Sequence, residues 1–454
     1  MKNLQICISG LKLIAGTQLD YSIKMSSNSV FENIQEVDSN TISFTLTPTR
    51  VSYANTLRRA IQTEVPSLGF RADMKEDGST SDVKVFKNTT PMSNEMLADR
   101  IGLLPIANPS NIDEWVKESI LFKLHVKNET PELRYVTASD FECFEIKEDE
   151  NIRIENTRFF HPNKITGETC LIAVLKPFTE GQPPEEIQLE AYASVGKGRE
   201  HARFNPTCQA SYGYTLDSDP ERIQALLLNW LDEQKKVDIK DLEKDEERKK
   251  KLVNEFNSLE INRCYKIDED GEPNSFDFQV ESVGTMNVYK IVSRALQELV
   301  VLFEKYSAFD RGDLPENVEV RPTDKRMKGF DFYFTGEDHT LGVALQTWLD
   351  DNKIGRGESE GGCIFAGYCV PHPLRDQMKF TIGLMDGKES TARLLMAEAA
   401  KGVSEIFSSW FVEFSSNLAG SNVNTGKEVR SAWEAHKDSK EQQNVKRKAK
   451  QSNK

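Results

Sequence analysis

The segment SFTLTPTRVSYANTLRRAI (residues 43–61) returns as DFYFTGEDHTLGVALQTWL (residues 331–349) at a constant spacing of 288 positions, 331 less 43. Phe44 aligns with Phe332, Thr47 with Thr335, Leu57 with Leu345 and Ile61 with Leu349. In the first copy β-branched and aromatic residues near period two run to Pro48. Val51, Ala54, Leu57, Ile61 and Val65 then recur every three or four positions until Pro66. That pattern is a strand, a turn and an amphipathic helix. The elements that follow also correspond. SFDFQVESVG precedes a helix striped with Val288, Ile291, Val292, Ala295, Leu296, Leu299, Leu302 and Phe303. QMKFTIGLMDG precedes one striped with Leu394, Leu395, Val403, Ile406, Phe407, Trp410 and Phe414. Each half reads strand–helix, an intervening segment, strand–long helix.

A sheet with two helices on one face leaves an apolar helix surface to bury. Two copies bury those surfaces against each other around a pseudo-twofold axis, and covalent linkage raises their effective concentration. The expected fold class is α+β: two dimerisation halves forming an intramolecular pseudo-dimer, with a β-rich domain inserted in the first. The interface is expected to hold Leu57, Ile61, Val65, Val292, Leu296, Leu299, Leu341, Leu345, Leu349, Phe407 and Trp410.

Between Gly69 and Arg203 short apolar segments, such as Leu121–Val126 and Cys170–Leu175, alternate with turn and charge clusters, and Thr179–Glu186 is a loop. Residues 220–256 turn helical and charged. Asp232–Lys251 mixes both signs at helical spacing, which reads as a solvated helix rather than a nucleic-acid patch. Ser307 to Pro322 reads as a loop and Leu4–Ala15 as a strand. The expected boundaries are 1–70 and 261–312 for the first half, 71–260 for the insertion, 313–430 for the second half and 431–454 for a basic disordered tail.

Composition excludes several classes. No run of 18 uncharged apolar residues occurs, so no membrane-spanning helix is expected. The net charge of −14 is opposite to that of a protein wrapping nucleic acid alone. The seven cysteines are scattered, without framework spacing or a CxxC, which points to a reducing compartment and no metal site. Asp338–His339 and Cys369 with His372 could pass for catalytic groups. His339 reads better as a helix cap or an internal hydrogen-bond partner, and Pro371 and Pro373 hold His372 in a rigid turn. The glycines at 355, 357, 361 and 362 have no phosphate-loop spacing and sit beside Glu358 and Glu360. Gly196 and Gly198 read as a turn. Arg58 and Arg59 are adjacent on an amphipathic helix. At most one can face solvent fully, and the other should flank an interface.

Several motifs resemble one family. NTTPMSNEMLADRIGLLPI (88–106), GKGREHARFNP (196–206), FQVESVGTM (278–286) and ANTLRRAIQTEVP (54–66) look like the signatures of the α-like third subunit of eukaryotic and archaeal RNA polymerases. EDHTLGVALQTWL (337–349) and FAGYCVPHPLRDQMKFTI (365–382) look like the eleventh-subunit type. In cellular polymerases these are two chains. A fusion resembles the subunits of large cytoplasmic DNA viruses. The cysteine-rich zinc loop of many third subunits is missing, since only Cys143, Cys170 and Cys208 lie between Gly69 and Cys208.

The resemblance implies a non-catalytic assembly platform of DNA-directed RNA polymerase. Its partners would be two large catalytic subunits, mainly the second-largest, and small assembly subunits. DNA and RNA would be contacted only indirectly. It implies no cofactor in this chain, with magnesium in the large subunits, and docking through Asn55, Arg58, Arg59, Asn88, Thr89, Glu95, Arg100, Glu200 and His201. The location would be host cytoplasm or virion if viral, otherwise the nucleus. The competing reading is a free adaptor that binds polymerase subunits outside the core enzyme. It would predict loss of the docking helices or their arginines. An independent enzyme would need a catalytic cluster.

Overall fold

The structure is a computed structural model that describes residues 29–420 apart from 74–79, 148–150, 238–245, 325–326 and 355–361. The expected strand at Leu4–Ala15, the tail 431–454 and Gly355, Gly357 and Gly361 lie outside the described residues.

The chain enters as strand β1 (Phe31–Asp38) and turns into β2 (Thr41–Leu46), whose alternation buries Ile42, Phe44 and Leu46. Helix α1 (Val51–Thr63) follows and buries Tyr53, Ala54, Leu57, Ala60 and Ile61 along one stripe. It ends at Glu64. Pro66, lacking an N–H, opens β3 (Pro66–Gly69).

A β-rich unit with its own core then interrupts the module. It comprises β4 (Val83–Asn88), α2 (Asn94–Gly102), β5 (Ile120–Lys127), β6 (Arg134–Thr137), β7 (Glu142–Ile146), β8 (Asn151–Ile154), β9 (Leu171–Leu175), β10 (Glu186–Ala191) and β11 (Ser194–Lys197). Its main sheet runs β4-β10-β5-β7-β8. Phe122 sits at the centre of the core, 5.2 Å from Phe70 and 5.1 Å from Phe159 between ring centroids. β11 returns antiparallel to β3 and closes the excursion.

One boundary and one helix differ from the expectation. The stretch 71–260 contains β12 (Thr207–Tyr214), which pairs with β13 (Phe276–Ser282) in the first module's sheet. The excursion therefore comes in two pieces. TCQASYGY hid β12 because only Ala210 and Tyr212 point it toward the main core. The second piece holds α3 (Pro220–Glu233) and α4 (Glu246–Ser258). The single helix expected over Asp232–Lys251 breaks, because α3 ends at Glu233 and Lys236 adopts a φ of 51°. α4 packs back on α3. Trp230 lies 5.8 Å from Phe256, and Lys235 Nζ is 2.5 Å from Glu255. Burying those two rings outweighs the charge pattern that would have continued one helix.

After β13 comes α5 (Val288–Glu304). The second module then holds β14 (Val318–Pro322), β15 (Gly329–Thr335), α6 (His339–Leu349), β16 (Cys363–Cys369), β17 (Gln377–Leu384) and α7 (Glu389–Gly420). β14 replaces the end of the loop expected up to Pro322. As an edge strand it tolerates that proline.

The sheet order β1-β2-β13-β12 is matched strand for strand by β14-β15-β17-β16. Phe44 faces Phe278 across the first sheet and Phe332 faces Phe380 across the second. Gly284 and Gly387, at the turns into the long helices, both take positive φ, 93° and 63°.

One hydrophobic core spans both modules. α5 packs along α7 and α1 along α6, with Phe303 stacked on Phe407 at 5.7 Å. The modules exchange their helix ends. Phe414 of α7 lies 5.1 Å from Phe31 and 6.1 Å from Phe44. Tyr306 and Phe309, just past α5, sit 5.2 and 6.0 Å from Phe334. The expected interface residues all fall in this core. Leu57, Ile61, Val65, Val292, Leu296, Leu299, Leu341, Leu345, Leu349 and Phe407 are fully buried, and Trp410 nearly so.

Candidate docking surface

The neighbouring arginines of α1 have different surroundings. Arg58 is half-buried and bonds only within its own helix, its Nε to Asn55 Oδ1 at 2.9 Å and its Nη1 to Gln62 Oε1 at 3.0 Å. Among the described residues no carboxylate pairs with it. Burial, then the adjacent Arg59 charge, hold its pKa below the ordinary arginine value. A partly desolvated cation with only neutral partners favours an incoming anion. Arg59 instead crosses to the second module. Its Nη2 meets Asp338 Oδ2 at 2.7 Å and its Nε donates to Thr340 Oγ1 at 2.9 Å. The expectation placed both arginines on a docking surface. In the structure Arg59 is held inside the seam.

GKGREHARFNP builds the rest of that seam. Arg199 donates to Glu64 Oε1 at 2.9 Å and to the Gly336 carbonyl at 2.7 Å. Lys197 lies 2.8 Å from Glu298 on α5. A Cβ at Gly198 would stand 2.0 Å from the Gln62 carbonyl oxygen, and one at Gly196 would meet the Phe204 ring at 2.6 Å. Gly198 lets the segment lie against α1, and Gly196 makes room for the Phe204 ring. Glu337 is buried, accepting from Tyr306 Oη at 2.6 Å with Lys305 at 3.4 Å. Burial, then the Glu337 charge, push the Tyr306 pKa far up. Arg50, at the start of α1, reaches Asp268 at 2.9 Å and Asp351 at 3.1 Å.

The remaining expected docking residues lie elsewhere. Glu200 grips Arg71 at 2.5 Å, and Nδ1 of His201 accepts from Arg203 N at 3.2 Å. Asn88 donates to the Met92 carbonyl at 2.8 Å and its Oδ1 accepts from Thr90 N at 3.0 Å. Thr89 Oγ1 accepts from Glu186 N at 2.7 Å. Arg100 donates to the Ile172 carbonyl at 2.8 Å. These four contacts fix the loop and helix of the inserted unit. Glu95, in the first turn of α2, faces solvent, and Ser93 caps that helix by accepting from Met96 N. The structure thus brings Asn55, Arg58 and Arg59 together on α1 and places Asn88, Thr89, Glu95 and Arg100 in a second group.

Asp338, rather than His339, caps α6, accepting from Thr340 N at 2.8 Å. Nδ1 of His339 lies 3.3 Å from Tyr368 Oη. His372 Nδ1 accepts from Leu374 N at 3.1 Å, which closes its turn. A Cβ at Gly342 would stand 2.4 Å from the Tyr368 ring, so the two C-terminal motifs pack on each other. Among the described residues no group of three or more His, Cys, Asp or Glu could hold a metal, and no helix is long and apolar enough to cross a membrane. Sequence reasoning missed Glu64, Lys197, Arg199 and Glu337 as seam residues. All four stand inside the quoted motifs, with Glu64 one residue past α1.

Two stretches match models of the RNA polymerase Rpb3/Rpb11 dimerisation domain, residues 43–303 and residues 330–410. The first alone covers more than half of the chain. The chain belongs to this family. It is similar to the DNA-directed RNA polymerase subunit Rpo3 of Pyrococcus furiosus, 26% identical over 276 residues, covering 59% of this chain and 92% of the relative. It is also similar to the RNA polymerase II subunit RPB3 of Schizosaccharomyces pombe, 25% identical over 326 residues, covering 68% of this chain and 97% of the relative. With rpb3 of Dictyostelium discoideum it shares 28% over 194 residues, 40% of this chain and 56% of the relative. The first match takes in β2, α1, β13 and α5, and the second β15, α6, β17 and most of α7. The Rpb3/Rpb11 family is thus represented twice on one chain, once in each sheet module.

Proposed function

We propose that this chain is a non-catalytic assembly subunit of a DNA-directed RNA polymerase, in which the third-type and eleventh-type partners are fused into one intramolecular pseudo-dimer. The observation that carries the reading is the pair of Rpb3/Rpb11 dimerisation-domain matches on two modules that share one core. A pair held by a common core needs no second chain to bury its helix faces. It would offer a preformed platform on which two large catalytic subunits assemble, mainly through the second-largest. Magnesium and nucleotidyl transfer would belong to those subunits. The acidic charge of −14 suits a platform remote from nucleic acid.

In this reading Arg58 and Asn55 on α1 are the principal docking groups, and Glu95 with the exposed face of α2 is a second contact. Arg59, Glu200 and His201 support the platform from within. The fusion is the ground for a viral source, and with it a place in the host cytoplasm or the virion. A cellular source would place the chain in the nucleus. Mixing the purified full chain with a candidate second-largest subunit tests the reading. A one-to-one complex on size exclusion, weakened by Arg58→Glu, supports it. A mixture that elutes as two separate proteins removes it.

A further inference from the structure

Two buried hydroxyls lack a hydrogen-bond partner where the inserted unit meets α5. Thr285 is 8% exposed and Ser293 1% exposed, and among the described residues neither side-chain oxygen has a hydrogen-bond partner. An unpaired buried hydroxyl is unfavourable, since it has left water without gaining a partner. Both residues line a cleft of about 690 Å³. One side is the turn 284–287 with the first turns of α5, and the other is residues 107–113 with Arg158 and His161. Asn108 N donates to the Thr285 carbonyl at 2.8 Å and holds the two sides together.

The electrostatics of the cleft favour an anion. The N-terminus of the 17-residue helix α5 opens there with a partial positive charge, its Tyr289 N–H capped by Asn287 Oδ1 at 2.9 Å. Arg158 and Lys290 line the same space. Among the described residues Arg158 has no carboxylate partner. The acid on the lining, Asp113, is engaged by Arg294, with Nη–Oδ distances of 2.6 and 2.7 Å. Hydroxyl donors, a helix start and two cations around one space are the elements of an oxyanion site.

We propose that this cleft binds a phosphate-type oxyanion, either free inorganic phosphate or the phosphate of a small ester. Thr285, Ser293 and the start of α5 donate to it, and Arg158 and Lys290 neutralise it. No residue of α1 lines the cleft, and the proposal stands independently of the assembly reading.

Calorimetric titration of the full chain tests it, with inorganic phosphate and adenosine monophosphate as probes. Three chains are compared: wild type, Thr285→Val with Ser293→Ala, and Arg158→Ala. The hydroxyl variant loses two unsatisfied groups, so without ligand it keeps or exceeds the wild-type Tm. Phosphate binds the wild type and raises its Tm, and each variant binds at least about tenfold more weakly, the lower end for one charge-assisted hydrogen bond. Tighter binding of the monophosphate than of phosphate identifies an ester as the ligand, and the reverse identifies the free ion. Absence of heat up to about 20 mM phosphate, weaker than any specific site of this kind, overturns the proposal. Equal affinity in all three chains also overturns it, since diffuse surface charge would then explain the binding. If phosphate is silent but the hydroxyl variant stops retaining a polymerase partner chain, the cleft receives a protein carboxylate and the proposal fails.

Discussion

Arg59 Nη2 lies 2.7 Å from Asp338 Oδ2, a contact between residues 279 positions apart that joins the first helix of one module to the capping residue of its counterpart in the other. Asp338 also caps α6 and lies 3.7 Å from Arg199. One carboxylate therefore ties together α1, α6 and the returning segment of the inserted unit.

This separates the two arginines experimentally. Arg59→Ala lowers stability by about 1.5–3 kcal/mol, the range for hydrogen bonds to charged groups. Arg58→Ala, whose partners lie on its own helix, stays within about 0.5 kcal/mol and weakens association with the large polymerase subunits. Urea denaturation of each purified variant checks the first effect and co-purification the second. Equal stability losses would remove the distinction.

Acid should loosen the seam in a defined window. Burial alone would raise the Asp338 pKa, but the Thr340 N–H, Arg199 and Arg59 outweigh it and leave the pKa below the usual value. A depressed carboxylate contributes its full stability above the unfolded-state pKa of about 3.9 and loses it as pH falls through the lower folded value. The stability gap between wild type and Asp338→Asn should be constant from about pH 8 to 5 and shrink below about pH 4. A gap that vanishes near neutrality would contradict the assignment.

Gly198 is held by close approach rather than by an unusual turn. Gly198→Ala drives a methyl onto the Gln62 carbonyl, which cannot swing away as a side chain could. It should cost about 2–3 kcal/mol. Gly213→Ala, where a Cβ meets nothing within 4 Å, should change stability by no more than about 0.5 kcal/mol. Thermal denaturation of the two variants makes the comparison, and similar Tm values would sink it.

Phe407→Ala removes the ring stacked on Phe303 in the shared core and should cost about 3–5 kcal/mol. Because the core is continuous, both modules should lose structure in one transition. Tryptophan fluorescence of Trp348 and Trp410, read against far-ultraviolet circular dichroism, would show it. Two separated transitions would mean that the modules are independent.

The repeat was legible because it rests on buried residues. The pairs Phe44–Phe332 and Leu57–Leu345 are core positions with few alternatives, and the spacing that aligns them also aligns the starts of α1 and α6, Val51 and His339. Edge strands were not legible. β14 buries one face of a short segment ending in proline, and β12 is interrupted by polar residues and Gly213. The broken helix after Glu233 was misread because charge pairing at helical spacing suits one long helix or two short ones equally. At the seam, the motif GKGREHARFNP marked the segment, but its contacts come from side chains other than the Glu200 and His201 singled out in it. Glu200 and His201 stabilise the local turn, while Lys197 and Arg199 in the same motif form the seam. Such a distinction depends on which way a side chain points in three dimensions.

The most direct test is the composition of the complex that forms around the full chain. Affinity purification of the tagged chain from its native source, followed by size exclusion and quantitative mass spectrometry, should give one copy with two subunits each above about 100 kDa, the size class of polymerase catalytic chains, which exceeds several ordinary domains. That fraction should synthesise RNA and contain no separate third-type or eleventh-type chain. A monomeric peak without large partners, or a polymerase that also carries the two separate chains, would contradict the account.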